Sequence, residues 1–265
     1  MEERLNGGAV WRSLQALRAE APLVHNITNF VAMDLAANVL LAVGASPVMA
    51  HAREEVADMV AIAGALTVNV GTLEPAWVEA MEIAAAQARA LGKPWVLDPV
   101  GAGATPYRNE VLKTLVALKP TVIRGNGSEI LALRGKAAAR GVDSANASVE
   151  ALDAARDLAK RTGGVVAVTG AVDYVTDGRR LAAVANGHPL MGRVTATGCA
   201  LTALVGALCA LTDPFSASLH ALAIYGVAGE IAAQEADGPG SFRVHFLDRL
   251  AKLDKVDLDE RLRSE

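Results

Sequence analysis

Aromatic residues are scarce, at 4% of the 265 residues, so Ala, Val and Leu must build any interior. A basic excess is missing too. The formal charge is -4, and no basic stripe runs along the chain of the kind a nucleic-acid binder carries. Only two cysteines occur, Cys199 and Cys209, which excludes a disulfide framework. The first residues, MEERLNGGAV, are acidic and lack an apolar centre, unlike a signal peptide. The longest apolar run, Gly198 to Leu211, is too short to span a bilayer and stops at Asp213-Pro214. His25, His51, His188, His220 and His245 are not spaced as metal ligands. His220 lies among apolar residues and reads as a satisfied structural histidine. The acids of DKVDLDER near the C-terminus read as a solvated face. These absences lead to the expectation of a cytoplasmic protein with no nucleic-acid or membrane partner, in a compartment that keeps thiols free.

What is present is a folded composition, 52% hydrophobic and 20% charged. The length supports a substantial core. No internal repeat and no long linker appears, so a single domain over 1–265 is expected. Strand-like runs lie at 22–28, 46–50, 65–71, 93–101, 120–126, 165–170, 173–178 and 179–187. Helical patterns lie at 30–44, 53–64, 74–92, 107–119, 127–135, 148–164, 197–212, 214–236 and 241–254. Residues 136–147 read as a surface loop, Ser148 as the next N-cap, and Asp177-Gly178 as a hairpin turn. The alternation predicts an α/β fold with a mostly parallel central sheet, helices on both faces, and an antiparallel edge hairpin. Ligands of such sheets sit beyond the carboxyl ends of the strands.

Four motifs fall there. LDPVGAG puts Asp98 at a strand end; VIRGNGSEI puts Arg124 and Asn126 at another, with Glu129 in the next turn; VAVTG ends at Thr169-Gly170; and TATGCA leads straight into a helix. Each has a plainer reading. Asp98 before a proline makes a turn, Arg124 is a surface charge, and Thr169-Gly170 is a common turn pair. Glu129 taken alone is a helix-start acid favoured by the dipole, and Cys199 taken alone is a small buried filler. The backbone N–H groups of Ala196, Thr197, Gly198 and Cys199 are expected to face one cavity and form an anion site. The same helix end is expected to lower the Cys199 pKa. His25 and Asn26, ending a strand, are expected to reach that cavity, and Met49 to offer it an adaptable apolar wall.

Together the pieces ask for one chemistry. Two acids can hold Mg²⁺ directly or through its waters. Helix-start amides can hold a transferring phosphoryl group. A nearby base can take a proton from an attacking hydroxyl. That is phosphoryl transfer to an alcohol. No G-x-x-x-x-G-K-[ST] occurs, so the phosphate cradle must be the Thr195–Cys199 loop.

The chain resembles the hydroxyethylthiazole kinase family, thiamine-salvage enzymes of the ribokinase-like fold. The likeness runs nearly end to end and rests on residues 22–50, LDPVGAGAT, IRGNGSEI, VAVTG and TATGCALTA. It implies phosphorylation of 4-methyl-5-(2-hydroxyethyl)thiazole by ATP with Mg²⁺. It implies Cys199 as general base and Ala196, Thr197 and Gly198 as anion hole. Asp98 and Glu129 would organise Mg²⁺; Arg124, Thr169 and Asn126 would contact ATP; Met49, Ala196 and Asn26 would line the thiazole pocket. A homotrimer with sites between subunits is implied as well. One position departs from the family's usual Gly-Thr-Gly-Cys: the first glycine is Ala196, which lacks glycine's access to positive φ. The rival readings are another alcohol kinase of this fold, acting on hydroxymethylpyrimidine or a sugar; a nicotinamide-nucleotide-hydrate dehydratase, expected to carry aspartate in place of Cys199; and a non-catalytic nucleotide binder.

Overall fold

A computed structural model of the protein describes residues 5–135 and 144–264. Eight strands form one sheet: β1 (Leu23–Ile27), β2 (Ser46–Val48), β3 (Ala65–Asn69), β4 (Trp95–Asp98), β5 (Val122–Asn126), β6 (Val165–Thr169), β7 (Asp173–Thr176) and β8 (Leu181–Val184). Their order is β2-β1-β3-β4-β5-β6-β7-β8. Pairings from β2 to β6 are parallel, and β6–β7–β8 are antiparallel. The predicted class and edge hairpin are both present. Asp177 and Gly178 make the hairpin turn: Asp177 Oδ1 accepts the Arg179 and Arg180 N–H groups, and Gly178 takes φ 86.

Alternation along each strand sends side chains to two cores. Val24, Val96, Val122, Val165 and Ala167 face one. That core also takes α1 (Gly7–Glu20), α2 (Met33–Val43), α8 (Thr197–Cys209), α9 (Pro214–Glu235), α10 (Pro239–Lys252) and α11 (Lys255–Arg261). Ile27, Leu66, Val68, Trp95, Leu97, Val166 and Val168 face the other. There they meet α3 (Val56–Ile62), α4 (Pro75–Ala90), α5 (Pro106–Ala117), α6 (Gly127–Leu133) and α7 (Ser144–Thr162). With few aromatics, closeness comes from small residues. Gly206 of α8 lies against the sheet so tightly that a Cβ there would come 2.5 Å from Thr67 Cγ2. α9 has the length and hydropathy of a membrane span, yet its most apolar window is 89% buried inside the fold.

Some expectations shift. Helix α7 begins at Ser144, so Ser148 lies inside it and not at its cap; the Ala-rich stretch favours helix. Most of the expected 136–147 loop lies outside the described residues. Helix α1 was not expected: Asn6 caps it by accepting the Ala9 N–H at 2.8 Å, and Val10, Leu14 and Leu17 form its buried stripe. The acids of DKVDLDER are more than a solvated face. Asp254 and Asp257 form a capping box that starts α11, whose Leu258 is fully buried.

Candidate active site

Alternation along the strands places Asn26, Asn69, Asp98, Arg124 and Thr169 on the α8 side, at or next to the strand ends. Helix α8 starts above them. Its first intrahelical bond runs from Ala200 N–H to Ala196 O, 2.9 Å. That leaves the N–H groups of Thr197, Gly198 and Cys199 ahead of it without an intrahelical acceptor. The turn is braced from below: Thr197 Oγ1 donates to Val194 O at 2.6 Å, and the buried Tyr225 hydroxyl donates to Thr197 O at 2.8 Å. Ala196 adopts φ 66, ψ 3, the left-handed conformation glycine takes freely. The loop therefore keeps its shape with a methyl in place of the family's glycine, at a conformational cost of about 1 kcal/mol.

Arg124 lies 9% exposed beneath this turn. Its Nη2 donates to Thr169 Oγ1 at 2.8 Å, and its Nη1 is 3.7 Å from Asp98 Oδ2. A Cβ on Gly198 would fall 3.0 Å from Nη1 and 3.1 Å from Nη2, so the guanidinium fork abuts the helix start. Two positive features thus coincide, free amides and a buried cation. Beside them opens a cavity of about 520 Å³, lined by Arg124, Thr169, Asp173, Gly198, Met191 and Tyr225, among others. Its size suits a small ligand with one charged end.

Asp98 is fully buried. Its Oδ2 accepts from Asn69 Nδ2 at 2.8 Å and Thr202 Oγ1 at 2.9 Å, while Oδ1 has no hydrogen-bond partner among the described residues. Burial pushes its carboxyl up to about 6, against the pull of Arg124. Glu129 makes the capping box of α6: Oε2 accepts the Asn126 N–H at 2.8 Å, and Asn126 Oδ1 accepts the Glu129 N–H at 3.0 Å. Its Oε1 accepts the Gly101 N–H at 3.1 Å, which ties the loop after Asp98 to α6. The plain reading of Glu129 is therefore present, with a second duty added. A buried carboxylate oxygen and a half-buried acid in the first turn of α6 are donors that suit a hard cation keeping most of its waters.

Cys199 is partly exposed and Cys209 buried. Asn29 Nδ2 donates to Cys199 Sγ at 3.4 Å and to Asn69 Oδ1 at 2.8 Å. Burial, with Asp98 adding to it, holds the thiol above its ordinary value, while Asn29, Asn69 and Arg124 pull the other way. The expected lowering is thus overturned: the sulfur loses more solvation than its donors return.

His25 and Asn26 point to opposite faces of β1, as neighbours in a strand do, so only Asn26 is on the α8 side. His25 turns to the α3 side, where its Nε2 meets Ala50 O at 2.7 Å. Asn26 is 1% exposed, donating to Val24 O and accepting from Thr67 Oγ1. Asn29 stands at the sulfur instead. Met49 follows β2 directly and packs, half-buried, against the α8-side core, as does Ala196. His220 has the structural role expected: it is buried, meets Ser13 Oγ through Nδ1 at 2.8 Å, and its pKa is pushed down to about 4 by burial.

A family profile described as "Hydroxyethylthiazole kinase family" matches residues 14–256. The chain belongs to the hydroxyethylthiazole kinase family. It is 58% identical over 253 residues to a hydroxyethylthiazole kinase of Cereibacter sphaeroides, covering 95% of this chain and 97% of that one. The solved hydroxyethylthiazole kinase of Pyrococcus horikoshii OT3 superposes with a TM-score of 0.90 at 46% identity, covering 97% and 98% of the two chains. A ribokinase-like superfamily protein from Enterococcus faecalis V583 shares the fold, with a TM-score of 0.68 at 10% identity over 96% and 97% of the chains. The chain is thus a kinase of ribokinase-like fold.

Proposed function

We propose that this protein transfers the γ-phosphoryl group of ATP to the hydroxyl of 4-methyl-5-(2-hydroxyethyl)thiazole, a salvage step toward thiamine. One observation carries the reading of the site: the first amides of α8, the Arg124 fork and the Cys199 sulfur meet at a single helix turn. ATP lies in the cavity beside Thr169 and Asp173, with its γ-phosphate toward Arg124, and is reached by Asn126 from the strand position paired with Thr169. The N–H groups of the Ala196–Cys199 loop and the guanidinium hold the charge that spreads over the phosphoryl oxygens. Cys199, its own proton already given up to solvent, takes the proton of the hydroxyl through Sγ as the oxygen joins phosphorus and the bond to ADP breaks. Asp98 and Glu129 would help to hold a Mg²⁺ ion, which would offset negative charge on the triphosphate. Met49 and the Ala196 methyl wall the thiazole, and Asn26 supports this wall from within the sheet.

The acceptor side lies open. Phe30 and Val31, next to Asn29, are 64% and 57% exposed, and β2 is an unpaired sheet edge. Such apolar exposure beside a reaction centre suits cover by a neighbouring subunit, in accord with a homotrimer. The protein works as one cytoplasmic kinase domain. A panel of thiazole alcohol, hydroxymethylpyrimidine, a pentose and hydrated nicotinamide nucleotide, each with ATP and Mg²⁺, tests the reading. The thiazole alcohol is expected to give the highest kcat/KM. Faster turnover of any other member contradicts the assignment.

A further inference from the structure

Asn29 Nδ2 donates to the sulfur of Cys199 at 3.4 Å. The direction of that amide is fixed by its surroundings. Asn29 Oδ1 accepts the N–H groups of Val31 and Ala32, both at 3.0 Å. A flipped amide would set its own hydrogens against these two donors. The Nδ2 end therefore always faces Asn69 and the sulfur. Asn69 is fixed in the same way: its Oδ1 accepts the Gly71 N–H at 2.9 Å, and its Nδ2 donates to Asp98 Oδ2 at 2.8 Å. Behind them the backbone is close, since a Cβ on Gly71 would come 2.6 Å from Asn29 Nδ2. Asn29 is 5% exposed and Asn69 2%, so water does not compete for these bonds.

We propose that Asn29, held by Asn69, is a positioning residue that aims the Cys199 sulfur and supports its anionic form. The inference rests on the reading of Cys199 as proton acceptor, but its test needs no turnover. Amides do not relay protons between Asp98 and the thiol; their fixed hydrogens stabilise negative charge on sulfur. The other groups facing the sulfur do not replace this. Asp98 on β4 disfavours the thiolate, Asn69 on β3 favours it less than Asn29 does, Arg124 on β5 favours it, and the Tyr225 hydroxyl on α9 stands near it with its proton held by burial. Asn29 thus offsets the neighbouring carboxylate at the one atom that has to lose a proton.

Asn29→Asp is the sharpest variant. Its carboxylate can still accept from Val31 and Ala32, but it removes the hydrogens that face the sulfur and adds a like charge. The measurement is the pH dependence of iodoacetamide alkylation of the full-length protein without nucleotide, read by mass spectrometry on the peptide carrying Cys199. Cys209 is buried, with its thiol pushed up to about 12, and does not compete. The midpoint is expected to rise by about one unit or more, with alkylation at neutral pH about tenfold slower. Asn29→Ser, whose short hydroxyl still caps but does not reach the sulfur, carries the same test if the aspartate variant does not fold, with about a threefold slowing. A profile superimposable on that of the unsubstituted protein overturns the inference. If the unsubstituted protein ignores the thiazole alcohol yet the midpoint moves, the proposed substrate fails and the role of Asn29 stands.

Discussion

The guanidinium of Arg124 lies directly against the backbone of Gly198, where a Cβ would approach Nη1 to 3.0 Å. A side chain at 198 would have to push the fork a few tenths of an ångström from the helix start. Gly198→Ala is expected to lower kcat by about 10²-fold, the scale of losing one preorganised donor to a developing charge. Arg124→Lys keeps the charge but not the fork and is expected to fall between the two. Steady-state kinetics with saturating acceptor check this. A Gly198→Ala enzyme of full activity contradicts the packing argument.

Ala196 sits at φ 66. Ala196→Gly is expected to stabilise the fold by about 0.5 to 1 kcal/mol, the relief of the left-handed strain less glycine's greater freedom when unfolded. The melting temperature reads this as a rise of about 1 to 4 °C. An unchanged or lower melting temperature would place the strain elsewhere.

Burial pushes both Asp98 and Asp173 from 3.8 up to about 6. A carboxyl raised in the folded state favours folding while protonated. Its contribution is present below about pH 4 and is lost as pH rises through about 6. Asp98→Asn is therefore expected to remove part of the fall in stability across that window. Subtracting one profile from the other isolates Asp98 from Asp177 and Asp213, which are held low and act in the opposite sense. Parallel profiles would show that Asp98 ionises at an ordinary pH.

The wall of the cavity beside Arg124 is tied to Arg263. Glu230 accepts from Gly187 N–H at 2.8 Å and Asn186 Nδ2 at 3.1 Å, and it pairs with Arg263. Arg263 N–H donates to Asn186 Oδ1 at 2.8 Å, and its Nη2 donates to Ala185 O at 2.9 Å. Arg263→Ala is expected to raise the KM for ATP by about fivefold with kcat little changed, because it loosens binding and not chemistry. A fall in kcat at constant KM would contradict this.

Much of the site was legible because it obeys a positional rule. Asp98, Arg124 and Thr169 sit at or near strand ends, and the Thr195–Cys199 loop opens a helix, which single-chain patterning exposes. Asn69 met the same rule as the last residue of β3, but an asparagine shows its use only beside Asp98, 29 residues away in sequence. Asn29 lay within residues 22–50, two residues past β1; Asn26 shares the α8-side face with Asp98, but its amide is taken up by Val24 O and Thr67 Oγ1. The direction of the thiol shift was beyond sequence as well. A helix start can be read from spacing, whereas the desolvation that outweighs it depends on packing. Helix α1 had a readable stripe at Val10, Leu14 and Leu17, hidden by the glycines that open it.

The most direct test of the account is the turnover of Cys199 variants at fixed, saturating Mg²⁺, ATP and thiazole alcohol. With Cys199→Ala, kcat is expected to fall by about 10²-fold or more while the affinity for ATP stays within about twofold, and Cys199→Asp is expected to recover a measurable part of the rate. Equal losses of kcat and ATP affinity in the alanine variant, or a well-folded aspartate variant without activity, would contradict the sulfur as proton acceptor.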